Sequence, residues 1–278
     1  MESINGAAAC STDEIRFMSE LQASYVFETM RAYNGKVFCL RGHLQRLMAS
    51  ANALNMKALE PGTAETAVKK ELNRSKLKDA HLRISYNGRS LRVMARPVPL
   101  YPREHYNKGV SVITVPTLRN APHATDGKIK CGDFLWGVMA KMESRGAFEA
   151  VLLNKDGYVT EATVSNIFIV RPATHSLPAN LAGRDTRRFC ILTAPSCLGV
   201  LNGITRRAVI DIARKIKFSV KEEPFTRYSL YTAEECFLTN TSMEIMPVVN
   251  ADGRIVGSGK PGRIASVLLR EFRKLAAA

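Results

Sequence analysis

Residues 128–170 read as one folding unit, a helix followed by two apolar strands that double back on each other. The unit opens KIKCGDFLWGVMAKMESRG, in which Phe134, Leu135, Val138, Met139 and Met142 recur at helical spacing and predict an amphipathic helix over residues 133–145. EAVLL (Glu149–Leu153) predicts a strand, Asp156-Gly157 a tight turn, and residues 160–170 the returning strand. A lysine just before the helix and a glutamate on the returning strand can therefore face one pocket. A lysine amine can form an imine with a carbonyl, and a carboxylate can hold a heterocyclic nitrogen protonated. On spacing alone, Lys130 and Glu161 can equally be ordinary surface residues.

Before this unit the chain predicts a short strand over residues 3–7. Strands over residues 25–33 and 36–40 follow, joined at Asn34-Gly35, and then a helix from about Gly42 with Leu44, Leu47, Met48, Ala51 and Leu54 on one face and His43 and Arg46 on the polar one. A polar helix over 68–77, a hairpin of Ala80–Tyr86 and Leu91–Pro97 across Asn87-Gly88, and a β-branched strand over 110–115 complete an α+β first lobe ending near residue 120. Residues 118–127 lack periodicity and carry turn formers, so they predict the interdomain connection. The lobes are thus expected at 1–120 and 128–278, with 121–127 between them.

After the central unit, residues 171–190 form a polar insertion containing proline and arginine. Ile204, Ala208, Val209, Ile212, Ala213 and Ile216 then recur at helical spacing, so Gly203 opens a helix with free backbone amides, a natural phosphate site. Asp252-Gly253 closes a late hairpin, and residues 266–275 predict a terminal helix. GKPG at 259–262 lacks the spacing and the Lys-Ser/Thr pair of a phosphate-binding loop.

Of the 278 residues, 46% are hydrophobic and 23% charged, which fits a globular chain with a buried core. No run of 18 apolar residues predicts a membrane span, and MESINGAAAC has neither a basic start nor an apolar segment, so a cytoplasmic location is expected. The six cysteines include no C-x-x-C and sit beside no histidine pair, so no metal site is predicted. The net charge of +15 favours anionic partners, but the basic residues are dispersed and no nucleic-acid recognition element accompanies them. Small anions are the expected partners instead.

Five ordered blocks resemble the class IV (fold-type IV) pyridoxal-phosphate-dependent aminotransferases over nearly the whole chain. They are Phe27-Glu28-Thr29; Asn34-Gly35 followed by His43-Leu44 and Arg46-Leu47; Lys130 with Asp133-Phe134-Leu135, Thr160-Glu161 and Ser165-Asn166-Ile167-Phe168; Gly203-Ile204-Thr205-Arg206; and Phe237-Leu238 with Thr241, Glu244 and Pro247-Val248. The resemblance implies a two-lobed α+β fold, with a smaller N-terminal lobe and a larger C-terminal lobe built on a β-barrel-like core. It implies pyridoxal 5'-phosphate as cofactor, Lys130 as its imine-forming residue and proton carrier, and Glu161 on the ring nitrogen. Arg46, Ile204, Thr205 and Thr241 would hold the phosphate, and Arg31, Tyr25 and Ser242 would meet the substrate. A homodimer is expected, with each active site partly closed by the partner subunit.

Arg31 with Tyr33, and the T-x-x-E-x-x-P-V element, look most like the branched-chain type, acting between a branched-chain L-amino acid and 2-oxoglutarate. The E-A-T-V-S-N stretch leans instead toward D-amino-acid aminotransferases and aminodeoxychorismate lyases, and a low-turnover cofactor-binding protein is a further alternative. Two departures bear on the substrate. The glycine-rich run usual before F-E-T is FMSELQASYV here, with Gln22 where an aromatic is common, and the family's tyrosine after the lysine is Phe134.

Overall fold

The computed structural model describes residues 25–173 and 189–278. The strand expected over 3–7, the altered run around Gln22 and most of the 171–190 insertion lie outside the described residues.

β1 (Val26–Tyr33) and β2 (Lys36–Val37) form the first hairpin. Its turn residues have left-handed backbones, with φ of 49° at Asn34 and 82° at Gly35, the conformation an Asn-Gly pair adopts at least cost. α1 (Leu40–Ala53) and α2 (Pro61–Ser75) follow, then β3 (Ala80–Tyr86) and β4 (Leu91–Pro97) at the bounds their alternation predicts. These strands make an antiparallel sheet in the order β2-β1-β3-β4. Val26, Met30 and Ala32 of β1 and Ala80, Leu82 and Ile84 of β3 point to the helices and bury against Leu44, Leu47, Val68 and Leu72. The opposite parity of each strand faces the other way, toward the site.

A short helix, α3 (Arg103–Lys108), leads to β5 (Val110–Thr114). Counted with the first lobe on sequence grounds, β5 instead pairs in parallel with strands of a second sheet. Its β-branched run dictates a strand but carries no information about which sheet accepts it.

α4 (Leu135–Glu143) then precedes β6 (Glu149–Leu153), β7 (Val159–Ala162), β8 (Asn166–Pro172) and β9 (Phe189–Thr193). α5 (Ile204–Lys215), β10 (Ser219–Glu222) and α6 (Arg227–Tyr231) come next. β11 (Glu235–Asn240), β12 (Glu244–Ala251), β13 (Arg254–Ile255) and α7 (Arg263–Ala277) end the chain. Among the described residues the second sheet runs β10-β9-β8-β11-β12-β5-β6-β7, and β7 pairs back onto β8 through Glu161 and Asn166. The six strands from β8 round to β7 therefore close into a barrel.

The barrel interior is filled by Val151, Ile167, Ile169, Leu238 and Met246, while α5 and α7 cover its outer face around Phe168 and Phe237, whose rings stack at 5.0 Å. Glu149 clamps the turn that closes the barrel: its carboxylate accepts the Thr163 hydroxyl at 2.9 Å and the Val164 amide at 3.3 Å.

α4 departs from the expected packing. It is shorter than predicted, buries Gly137 and Ala140, and leaves Leu135, Val138, Met139 and Met142 exposed. The apolar stripe is real, but it faces away from the core. No helix among the described residues is long and apolar enough to cross a membrane.

Candidate active site

One cavity of about 470 Å³ opens between the first sheet and the barrel. Lys130, Arg46, Glu161, Ile204, Thr205, Thr241, Tyr25 and Ser242 all line it, although they come from widely separated points along the chain. Arg31 is not among the lining residues; it donates to the Ser242 carbonyl at 3.1 Å and pairs with Glu244 at 3.2 Å.

Lys130 is fixed by its backbone. Its amide donates to Ser50 Oγ of α1 at 3.1 Å, and its carbonyl accepts the Phe27 amide at 3.0 Å. The side chain is half-buried, with Nζ 4.7 Å from the centroid of the Phe27 ring. Burial first, then the Arg46 guanidinium, hold the amine down at about 8 from 10.5, against the opposing pull of Glu28 and Glu161. An amine so placed is neutral near physiological pH far more often than an ordinary lysine, and the neutral form is the one that attacks a carbonyl or takes up a proton.

Glu161 sits at the other side of the cavity with both oxygens occupied. Arg119 Nε donates to Oε1 at 2.8 Å, while Asn166 Nδ2 and the Leu201 amide donate to Oε2 at 3.2 and 3.0 Å. Burial raises its pKa, and Arg119 is the main force opposing that rise. Arg119 in turn lies over the Trp136 ring, 4.1 Å from its centroid. The Phe134 ring packs edge-on against Trp136 at 4.8 Å and covers Gly137, where an added Cβ would lie 2.4 Å from Phe134 Cζ.

Gly203 is required by the same cluster. A Cβ there would lie 2.1 Å from Asn166 Oδ1 and would push the amide off Glu161. It is the N-cap of α5, so the first-turn amides beyond it have no intrahelical acceptors and present a partial positive charge to the cavity. Arg46 approaches the same helix end, donating from Nη1 to the Asn202 carbonyl at 2.7 Å.

Arg46 is also paired with a residue the motif reading left without a role. Glu28, fully buried, accepts from Arg46 Nε at 2.6 Å and Nη2 at 2.8 Å, and from His43 Nδ1 at 2.8 Å. Burial acts to raise the Glu28 pKa, but Arg46 and then His43 outweigh it and hold the carboxyl at about 2. The guanidinium thus reaches the cavity already oriented.

Thr241 Oγ1 donates to the Thr29 carbonyl at 3.2 Å, and the Ser242 amide donates to Asn240 Oδ1 at 2.9 Å. The Ser242 amide, expected to meet substrate, is therefore spent on closing its own turn. Thr239 Oγ1, in contrast, is buried at the cavity wall with no hydrogen-bond partner among the described residues.

This donor set fits pyridoxal 5'-phosphate. A half-buried amine of lowered pKa, a buried carboxylate, and a guanidinium converging with helix-end amides match its aldehyde, ring nitrogen and phosphate in turn, and Thr239 offers one more polar contact.

Comparison with known proteins gives a consistent picture. The family model described as Amino-transferase class IV matches residues 25–251. A putative branched-chain-amino-acid aminotransferase of Methanocaldococcus jannaschii is 33% identical over 90% of this chain and 86% of its own length. Branched-chain-amino-acid aminotransferase-like protein 1 of Arabidopsis thaliana is 34% identical over 90% of the chain, which spans only 45% of that protein. A D-alanine aminotransferase of Bacillus licheniformis is 29% identical over 85% of the chain and 82% of its own length. Among solved structures, the T.th. branched-chain amino acid aminotransferase with pyridoxamine 5'-phosphate superposes with a TM-score of 0.81 at 30% identity, covering 92% of this chain and 87% of that one.

Proposed function

The chain belongs to the class IV aminotransferases, pyridoxal-phosphate enzymes of fold type IV, and we propose that it moves an amino group from a branched-chain L-amino acid to 2-oxoglutarate with Lys130 as the covalent attachment point of the cofactor. One observation carries the assignment of Lys130: it is the lysine that lines the cavity, its amine depressed to about 8 and facing Glu161 and Arg46 across one space. When bound, the cofactor supplies an electron-accepting ring next to the reacting carbon. Glu161 would hold a proton at the ring nitrogen, and Arg119, Asn166 and the Leu201 amide keep its carboxylate in place. Arg46, the Ile204 and Thr205 amides and Thr241 would hold the phosphate. Lys130 Nζ would hold the cofactor through its aldehyde and would serve as the base that moves the proton at the donor's α-carbon. The wall formed by Phe27, Trp136 and Phe134 keeps water away from that transfer.

The branched-chain donor is supported by the names of several relatives, and a D-amino acid is the second reading, supported by the Bacillus relative. A donor panel separates them. L-leucine and L-valine should convert 2-oxoglutarate to glutamate with the purified protein, whereas activity confined to D-alanine would overturn the L-donor assignment.

A homodimer accounts for α4. Leu135, Val138, Met139 and Met142 lie at i, i+3, i+4 and i+7, and Met142 is 79% exposed, so one apolar face is without cover among the described residues. That helix begins at the cavity wall, so a second copy seated on it would also shield the site. Val138→Glu with Met142→Glu should shift the protein to monomer in light scattering. A monomeric unsubstituted protein would defeat this assignment.

A further inference from the structure

The turn between β11 and β12 brings Thr241 and Ser242 to the cavity, and its backbone is tied off on both sides. From within, Asn240 Oδ1 accepts the Ser242 and Met243 amides at 2.9 and 2.8 Å. From outside, Arg31 Nη1 of β1 donates to the Ser242 carbonyl at 3.1 Å, and the Tyr106 hydroxyl of α3 donates to the Met243 carbonyl at 3.0 Å. All four backbone polar groups of Ser242 and Met243 therefore have fixed partners.

Glu244, which ends this turn, is buried and has a φ of 64°, a left-handed backbone that a glutamate adopts at a cost. Its Oε1 accepts the Tyr33 hydroxyl at 3.1 Å and pairs with Arg31 Nη1 at 3.2 Å, and its Oε2 accepts from Arg273 Nε at 2.6 Å. Arg273 stands near the end of α7, far from the cavity wall in sequence. Phe272, buried beside it, anchors that end of α7 to the barrel, so Arg273 works from a fixed point. Its guanidinium also lies over the Tyr106 ring, 5.4 Å from the centroid. Burial, then the Glu244 carboxylate, push the Tyr106 phenol up to about 12, which keeps it a donor to the turn. One half-exposed arginine thus touches two groups that bear on the turn, a carboxylate and a phenol.

We infer that Arg273 is a positioning residue: acting through Glu244, it braces the turn that carries Thr241 and Ser242, so the C-terminal helix sets part of the active-site wall from outside the cavity. Without Arg273, Oε2 of a buried carboxylate loses its charge-assisted hydrogen bond. The carboxylate then turns toward water, and the backbone at Glu244, held against its own preference, relaxes with it. The inference rests on the aminotransferase reading only for what Thr241 binds; the brace concerns the turn itself.

Hydrogen–deuterium exchange on the full chain, run with and without pyridoxal 5'-phosphate, tests the brace. In Arg273→Met the amides of residues 242–244 should exchange about fivefold to tenfold faster, the effect of one lost charge-assisted bond on local opening. Arg273 is half-exposed, so this substitution opens no cavity in the core. Arg273→Lys, which keeps the charge, should restore most of the protection. Arg270→Met, one turn back on α7 and paired with Glu271, should leave the turn unchanged. In a Glu244→Gln background Arg273→Met should add little, because the charge it serves is already gone. Titration with pyridoxal 5'-phosphate and with pyridoxal separates the brace from the proposed function. Arg273→Met should weaken the phosphorylated ligand by about threefold to tenfold and leave pyridoxal unchanged. A loosened turn with both affinities shifted alike would keep the brace and defeat the phosphate role of Thr241. Unchanged turn exchange in Arg273→Met, or an equal acceleration in Arg270→Met, would overturn the brace.

Discussion

Lys130→Ala is expected to lower transamination by at least about 10⁴-fold, because one substitution removes both the covalent attachment point and the proton carrier. Arg46, the α5 amides and Glu161 are untouched, so the phosphate half of the cofactor should still bind. The protein would then take up pyridoxal phosphate without a covalent bond, and borohydride followed by intact-mass measurement should find no added cofactor. Glu161→Gln provides the contrast. It leaves the amine in place, so the covalent adduct should persist, while turnover falls by about tenfold to a hundredfold with the lost charge-assisted hydrogen bond. The amine itself gives a pH signature. With Lys130 held at about 8, its neutral fraction rises as pH rises through that value. The rate at which cofactor-free protein is covalently loaded should therefore climb from about pH 6.5 and level off above about 9. Covalent adduct on Lys130→Ala would move the assignment to another lysine, with Lys128 the nearest rival.

Much of this arrangement was legible in the chain because its signals are local. Asn34-Gly35 and Asp156-Gly157 dictate tight turns, and each glycine has a φ of 82°. The Gly203-Ile204-Thr205 run opens a helix for the same local reason. What stayed hidden depends on partners distant in sequence. The stripe on α4 has one spacing whether a core or a second subunit covers it, so periodicity located the face and could not say what it meets. Arg119 lies in an aperiodic connection, and nothing near it in sequence points to Glu161, 42 positions away. The assignment of β5 failed for a related reason, since parallel pairing is set by chain segments on both sides of it. Glu28, by contrast, did leave a signal. It shares strand parity with Val26, Met30 and Ala32, all of them inward-facing, and a carboxylate on the inward parity of a strand demands a buried cation. The motif drew attention to F-E-T as a label, while the alternation explains why the glutamate is there.

That buried pair carries the second large effect. Glu28 is held at about 2 against 4.5 when unpaired, a depression that corresponds to about 3 kcal/mol of folding stability. The folded-state value is the lower one, so this contribution is fully present above pH 4.5 and is lost as pH falls through about 2. Glu28→Ala should cost about 3–5 kcal/mol, because it leaves Arg46 largely buried without its carboxylate; Arg46→Ala should cost a similar amount by stranding Glu28 beside a neutral His43. Removing both residues strands neither charge, so the double variant should lose clearly less stability than the two single losses combined. Cofactor binding should behave differently. Arg46→Ala removes a phosphate ligand, and Glu28→Ala lets that ligand drift, so both should weaken binding, and the double variant should recover none of it. Chemical denaturation and cofactor titration of the four proteins read the two effects apart. Additive stability losses would mean that the pair is not coupled, and undiminished cofactor affinity in Glu28→Ala would mean that Arg46 does not depend on Glu28 for its aim at the phosphate.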